Sequence, residues 1–388
     1  MATALVAWTW TFAAAQANPT GGAVVAGRAT IAQPSATSTI ITELSNKAII
    51  SWPSFSIPSG SSVSVVQPGS GSILLNRVTG GAVSGLFGSL SANGQVWLIN
   101  PAGIIVGSGA SITAAGLLLS TVDINDQDFR HGHYNFSIPG NQGARIVNYG
   151  TLVATGSAEG GGAAVLAGES VKNRGVIKAD LGTVVLGGAK TYAVDFAGDR
   201  LLSFAITAPV EQVAPGAKAV VENAGTLAAA GGEVLLTAQA AKGVLDNVIN
   251  TSGIVEATSV ASVDGKIVLS AAGGGTELSG TLDASGKGAG ETGGTVEVVG
   301  DSVTLASGAR VDVSGDAGGG TALVGGNFRG AGPLPNSQTT TISAGSSIVA
   351  DAINTGNGGQ VAVWSDGVTT FDGSITAKGG ALGGNGGY

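Results

Sequence analysis

The sequence contains no cysteine, which excludes disulfides and thiolate-bound metals and leaves the fold to hold together by packing alone. Aromatic residues make up only 5% and charged residues only 11%, well below the usual quarter for charge. Any core must therefore be aliphatic. Basic charge is the scarcer sign, 17 Lys and Arg against 25 Asp and Glu, a net charge of −8. That balance lacks the electrostatic footprint of a nucleic-acid binder and the basic patch that favours anionic lipid. Between residues 18 and 85 no run shows a 3.6-residue apolar period over a helix-length window. Gly-x-Ser-x-Gly, His-Glu-x-x-His and P-loop patterns are missing too.

Glycine is abundant, at 67 of 388 residues, but has no Gly-X-Y period, which excludes collagen. The hydrophobic fraction of 43% comes mainly from Val, Ile, Leu and Ala in short, regularly recurring runs. A disordered chain does not space its apolar runs in this way. Residues 92–107, Ala-Asn-Gly-Gln-Val-Trp-Leu-Ile-Asn-Pro-Ala-Gly-Ile-Ile-Val-Gly, show the repeating unit. Two apolar runs, 96–99 and 104–106, flank Asn100-Pro101-Ala102-Gly103. Proline has no N–H to donate and glycine permits φ > 0, so the tetrad is a turn. The unit is strand, corner, strand.

Downstream the chain aligns with itself. An Asn-x-Gly corner followed by β-branched residues or Leu recurs at Asn148-Tyr149-Gly150, Asn173-Arg174-Gly175 and Asn223-Ala224-Gly225. Looser copies place the glycine at Gly253, Gly280, Gly308, Gly345 and Gly373. From Gly150 onward these glycines are 25, 50, 28, 27, 28, 37 and 28 residues apart. The 50 reads as two periods, and the 37 as one period plus an insertion. A Gly-led apolar strand keeps step half a period away, as in Gly182-Thr183-Val184-Val185-Leu186 and Gly232-Glu233-Val234-Leu235-Leu236.

The expected architecture is all-β: a right-handed parallel β-helix with a hairpin excursion and a capping N-terminal region. Coils of about 25 residues stacked at ~4.8 Å bury one another's inner faces. Glycine or asparagine corners are expected where left-handed backbone is needed, with asparagines at equivalent corners stacking as an amide ladder. Residues 123–143 break the period as a polar excursion, expected to be a hairpin, and residues 195–215 read as a less regular coil.

Three regions follow. Residues 1–17 are uncharged and largely apolar and end Ala15-Gln16-Ala17, as a secretory signal peptide does, although the basic start is missing. Residues 18–270 form the main domain and 271–388 further β-helix repeats. The closing Gly383-Gly384-Asn385-Gly386-Gly387-Tyr388 matches the lead-in to another strand, so the repeat is expected to continue in a longer protein.

Two clusters carry candidate chemistry. Asp123, Asp126 and Asp128 with His131 and His133 loosely suggest a hard-cation site but lack the EF-hand spacing. Such a group in a polar loop is more often simply solvated, and no metal or other cofactor is assigned. Asp195, Asp199 and Arg200, with Asp180 one coil away, are the candidates for a polysaccharide-cleaving site, since parallel β-helices can carry such enzymes. Surface charge on a coil explains them more simply, and no catalytic residue is assigned. Asn135-Phe136-Ser137 and Asn250-Thr251-Ser252 are formal glycosylation sequons of a kind that arises by chance.

Residues 75–80, Leu-Asn-Arg-Val-Thr-Gly, followed by 94–104, Gly-Gln-Val-Trp-Leu-Ile-Asn-Pro-Ala-Gly-Ile, resemble a known family. This is the secretion domain of two-partner-secretion exoproteins, the filamentous-haemagglutinin-like proteins, and the likeness is nearer to the high-molecular-weight-adhesin branch. Trp52-x-x-Phe55, Gln67-Pro68 and Ser120-Thr121-Val122-Asp123-Ile124 fit as well. The likeness is specific over about residues 20–150 and looser through the repeats. The family's Asn-Pro-Asn-Gly turn loses its second asparagine here, at Ala102, and the haemagglutinin branch's Asn-Pro-Asn-Leu motif is not found.

The resemblance implies a secreted or surface-displayed adhesin of a Gram-negative bacterium, exported through the periplasm and not an enzyme. Its partner would be an outer-membrane β-barrel transporter with periplasmic recognition domains, and its targets would include host or neighbouring-cell receptors or glycans. Asn76, Asn100, Pro101 and Gly103 are the expected turns on which folding or transport depends. An exported β-helix polysaccharide lyase or hydrolase is the alternative.

Overall fold

Three parallel sheets run side by side along the chain, and each regular coil adds one strand to each of them. The structure is a computed structural model that describes residues 18–157, 160–196, 202–213 and 216–388. Among the described residues the first face has 12 strands, from Ala23–Ala26 to Gln360–Val363. The second has 10, from Ser84–Leu86 to Val368–Phe371, and the third 13, from Ala29–Ser35 to Ser374–Thr376. This is the expected parallel β-helix. Residues 1–17, the expected signal segment, lie outside the described residues.

The interior consists of columns of like residues, because parallel in-register pairing sets each position on its equivalent one coil away. Leu74, Val96, Leu117, Ala164, Val184, Val234, Ile267, Val296 and Ala322 form one such column. All nine are buried, so each coil covers the apolar face that its neighbour cannot bury alone. The expected amide ladder is present inside the second face. Asn148 Nδ2 donates to Asn173 Oδ1 at 2.8 Å, Asn173 Nδ2 to Asn223 Oδ1 at 2.9 Å, and Asn223 Nδ2 to Thr251 Oγ1 at 3.2 Å. Beyond Thr251 the same column continues as Leu278, Leu305 and Ile342.

The stack changes character at its N-terminal end. Ala23–Ala26 pairs antiparallel with Lys47–Trp52, and Ala29–Ser35 antiparallel with Ser38–Glu43. Ala29–Ser35 is also the terminal strand of its sheet and carries Pro34, which cannot donate to a further strand. These residues are the capping region.

Three expectations need correction. The 50-residue interval from Gly175 to Gly225 is not two coils, since Ile177 pairs directly with Leu227 and Asn173 with Asn223. The extra length is an excursion: Thr191–Phe196 pairs antiparallel with Leu202–Ala208, where an irregular coil was expected. The excursion at 123–143 is a hairpin, Asp123–Ile124 against Tyr134–Ile138, but it also holds a short helix, Asp126–His131. Asn125 caps that helix by accepting from the Gln127 amide, and Gly132 ends it at φ 83°.

The corner glycines meet the expectation only in part: Gly308 and Gly345 are left-handed, at φ 85° and 82°. Gly175, Gly225 and Gly253 do not have positive φ. A Cβ on any of them would instead run into the carbonyl of the corner glycine one coil before. Close approach of stacked backbones requires glycine here.

The two excursions join. Their four strands form one antiparallel sheet, with Tyr134 opposite Val194. With the helix, this sheet lies over the outer surface of the first face, where Leu75, Trp97, Leu118, Val165 and Val185 pack with Phe129, Phe136, Tyr192 and Leu202 in a second core.

Candidate functional site

The turn after strand Gln95–Ile99 forms because its side chain and backbone bonds close on themselves. Asn100 Oδ1 accepts from the Ala102 amide at 2.9 Å, and the Gly103 amide donates to the Asn100 carbonyl at 3.0 Å. Asn100 Nδ2 donates to the Ala82 carbonyl and to Ser84 Oγ, both at 2.9 Å, which ties the turn to the coil before it. The Asn100 amide donates to Ser120 of the coil after it, and the Pro101 carbonyl accepts from Asn141 in the first excursion. Gly103 sits at φ 119°, where L side chains are strained, and a Cβ there would press on the Arg145 carbonyl. Asn100 is 0% exposed. Both hydrogens and the oxygen of its amide are engaged by the fold itself.

Asn76 was expected at a turn, but it lies inside strand Ile73–Val78 and faces the interior. Its Oδ1 accepts from Trp52 Nε1 at 3.1 Å, and its Nδ2 reaches the Trp97 carbonyl at 3.4 Å. An interior amide here matches the indole N–H of one coil to a carbonyl of the next, so the buried Trp52 keeps its polar atom satisfied.

Next to Asn76, on the opposite side of the strand, Arg77 grips the covering layer. Its Nε lies 2.8 Å from Asp123, one terminal nitrogen 2.5 Å from Asp126, and the other 2.7 Å from the Ile124 carbonyl. Burial pushes the Asp123 carboxyl above its ordinary value, against the pull of the Arg77 charge. Lys47 adds a second hold, donating to the Phe129 carbonyl at 3.1 Å with its ammonium 5.0 Å from the Tyr134 ring centre. An aromatic layer starts beside Lys47 and runs on across the coils: Trp97 against Tyr134 and Phe129, then Phe136, Tyr192 and Phe204 stacked in series. The Tyr192 hydroxyl donates to Ser120 Oγ, which fixes the second excursion to the strand Gly116–Ser120. Sequence reasoning quoted Arg77 within a motif but gave it no role. The available signal was the run of adjacent buried residues in strands such as Ile73–Val78, the mark of a strand covered on both faces.

The candidate chemical clusters do not assemble. Asp123 and Asp126 are held by Arg77, while Asp128 lies in the first helical turn and the His131 and His133 rings are 6.4 Å apart. Among the described residues no three His, Cys, Asp or Glu side chains are grouped as a metal would need. Asp180 pairs with Lys178 at 2.9 Å beside the third face, whereas Asp195 is exposed on the covering layer. Asp199 and Arg200 lie outside the described residues.

Comparison with known proteins agrees with this geometry. The family model for the TPS secretion domain matches residues 15–284. Two curated relatives, both heme/hemopexin-binding proteins of Haemophilus influenzae, are 32% identical over 263 residues and 29% identical over 265 residues. These matches cover 67% and 64% of this chain but only 28% and 27% of the relatives, so the chain spans under a third of their length. The crystal structure of the HMW1 secretion domain from Haemophilus influenzae superposes with a TM-score of 0.81 at 31% identity, covering 95% of this chain and 93% of that one. By name these relatives are secretion domains and binding proteins. The chain belongs to the TPS (two-partner secretion) secretion-domain family, whose members leave a Gram-negative cell through a transporter partner in the outer membrane.

Proposed function

We propose that this chain directs export of an adhesin-type exoprotein, by offering its N-terminal coils to the periplasmic recognition domains of a dedicated β-barrel transporter. The covered coils then fold first and template the bare coils behind them. The observation that carries this reading is that the family match, residues 15–284, contains both the pinned Asn100 turn and the whole covering layer. Parallel coils suit the route, because each contacts only its neighbours and can add in sequence as the chain emerges. The domain boundary at residue 270 and the surface or receptor-binding role are part of the same proposal.

Asn100, Pro101 and Gly103 serve export through the shape of the turn, since the Asn100 amide is consumed internally once the domain has folded. Asn76 acts in the same way, through Trp52. Secretion of the chain into the medium, with and without its transporter, is the test. Dependence on the transporter is expected, and secretion without it overturns the proposal. Asn100→Ala should lose secretion and also refold more slowly or less stably from urea. A variant that refolds normally yet is not exported would show instead that the transporter reads Asn100 directly.

A further inference from the structure

A groove of about 870 Å³ opens on the outer surface of the second face, next to the Asn100 turn, with Ala102 and Gly103 on its rim. Its floor is apolar and crosses successive coils. Gly85, Ile105, Val147 and Lys172 stand in register on four adjacent strands, facing outward. Phe87, Gly107, Tyr149 and Arg174 line it at the ends of the same strands. The Phe87 ring lies over Gly107, where a Cβ would strike it, and Tyr149 is 44% exposed.

Arg145, Lys172 and Arg174 line the groove and no carboxylate is among its lining residues, in a chain of net charge −8, although Lys172 is ion-paired with Glu222 just beyond it. Lys172 and Arg174 belong to the last of the four coils, so a cationic end follows an apolar floor. The register column then turns acidic, with Glu222 on the next strand, 2.7 Å from Lys172, and Glu277 two strands further. That reversal repels a bilayer's anionic surface, while the groove itself attracts a single anionic head.

The groove offers an incoming peptide little main-chain pairing. Its strands are hydrogen-bonded on both sides, and the outer edge of Ser84–Leu86 is taken by Ile57, whose amide donates to Gly85 and whose carbonyl accepts from Phe87. Recognition must therefore run through side chains. Four rungs at the usual strand spacing span about 14 Å, the length of an extended acyl chain of roughly ten to twelve carbons.

We propose that this groove binds a monomeric long-chain carboxylate, its alkyl chain over Ile105, Val147 and Tyr149 and its head group on the exposed Arg174, with Lys172 shared between the head group and Glu222. The site is independent of the export reading. Sodium dodecanoate, titrated calorimetrically below its micellar concentration into the folded chain, is the probe. One-to-one saturable binding is expected, at least about tenfold weaker for dodecanol, because a charge-assisted hydrogen bond is lost. Lys172→Gln with Arg174→Gln, both on partly or fully exposed side chains, should weaken dodecanoate about tenfold and leave dodecanol unchanged. Tyr149→Ala should weaken both ligands alike, by about threefold through lost apolar cover. Absence of saturable binding overturns the proposal, as does binding that the double variant leaves intact. Binding only to phosphatidylglycerol vesicles would also overturn it, and would assign the face to a membrane.

Discussion

Strand Thr183–Gly188 is buried at every position, whereas its register neighbour Glu233–Gln239 alternates buried and half-buried along its whole length. The two strands occupy the same sheet, one coil apart, and share the same inner column. They differ in how much covers their outer side. The covering layer of aromatic residues closes fully over the first and reaches only Leu235 of the second, so Val185 is 0% exposed, Leu235 is partly covered, and the outward positions after it are Val268 and Glu297. One architecture thus has two regimes: N-terminal coils with two cores, and C-terminal coils with one.

The sharpest way to break that comparison is to put the same charge on both regimes. Val185→Glu buries a carboxylate with no partner and is expected to cost more than about 4 kcal/mol or abolish folding, whereas Val268→Glu should cost under about 1 kcal/mol. Urea midpoints of the two variants measure the difference, and equal midpoints would refute the two-core description. Removing the grip on the layer comes next. Arg77→Ala leaves Asp123 buried and unpaired at a cost of about 3–5 kcal/mol, while breaking the more exposed Lys266–Glu297 pair with Lys266→Ala should cost under about 1 kcal/mol. Fluorescence of Trp97 should report release of the layer in the first variant before global unfolding.

Two buried carboxylates sharpen the contrast through pH. Glu43, in the capping region, is pushed up to about 7 by burial, against the single hydrogen bond from Gln67 Nε2. Asp312, in the C-terminal coils, is also pushed up by burial, but bonds from the Ser314 hydroxyl and amide and from Lys287 and Arg310 outweigh this and hold it at about 2. The folded pKa of Glu43 lies above its unfolded value. Its contribution is therefore full below about pH 4.5 and lost as pH rises through 7, up to about 3 kcal/mol. The folded pKa of Asp312 lies below its unfolded value. Its contribution is present above about pH 4 and lost only as pH falls through 2. Glu43→Gln should flatten the stability profile between pH 5 and pH 8, and Asp312→Asn should not alter that window's slope. Hydrogen exchange as a function of pH, read at the cap for Glu43 and at the C-terminal coils for Asp312, checks both. The ladder gives the smallest loss expected from a buried site: Asn173→Ala leaves Asn148 Nδ2 and Asn223 Oδ1 without their mutual partner, at a cost of about 2 kcal/mol. Urea midpoints decide it, and an unchanged midpoint would mean that the ladder adds nothing to stability.

Much of this was legible in the chain. The recurring Asn-x-Gly corners gave the coil, and Asn148, Asn173 and Asn223 gave the ladder, because an in-register solenoid brings each repeat position onto itself. The Asn100 turn was legible for the same local reason: proline and glycine restrict the backbone wherever they stand. The place of Asn76 was not, since an asparagine inside a strand looks like a corner until Trp52 is seen to need it. Neither was the 50-residue interval, because the excursion that holds Thr191–Phe196 and Leu202–Ala208, with its connections, adds one coil's length to the chain.

The sequence alone determined the parallel β-helix, its aliphatic interior and its amide ladder, because these depend on a period and on contacts between equivalent residues. Only the tertiary structure decided that residues 123–138 and 191–208, far apart in the chain and with no shared repeat, close into one sheet over the first face. Arg77, Lys47 and the Trp97 layer acquire their roles from that closure. Its contacts join non-equivalent positions, and no periodicity records them.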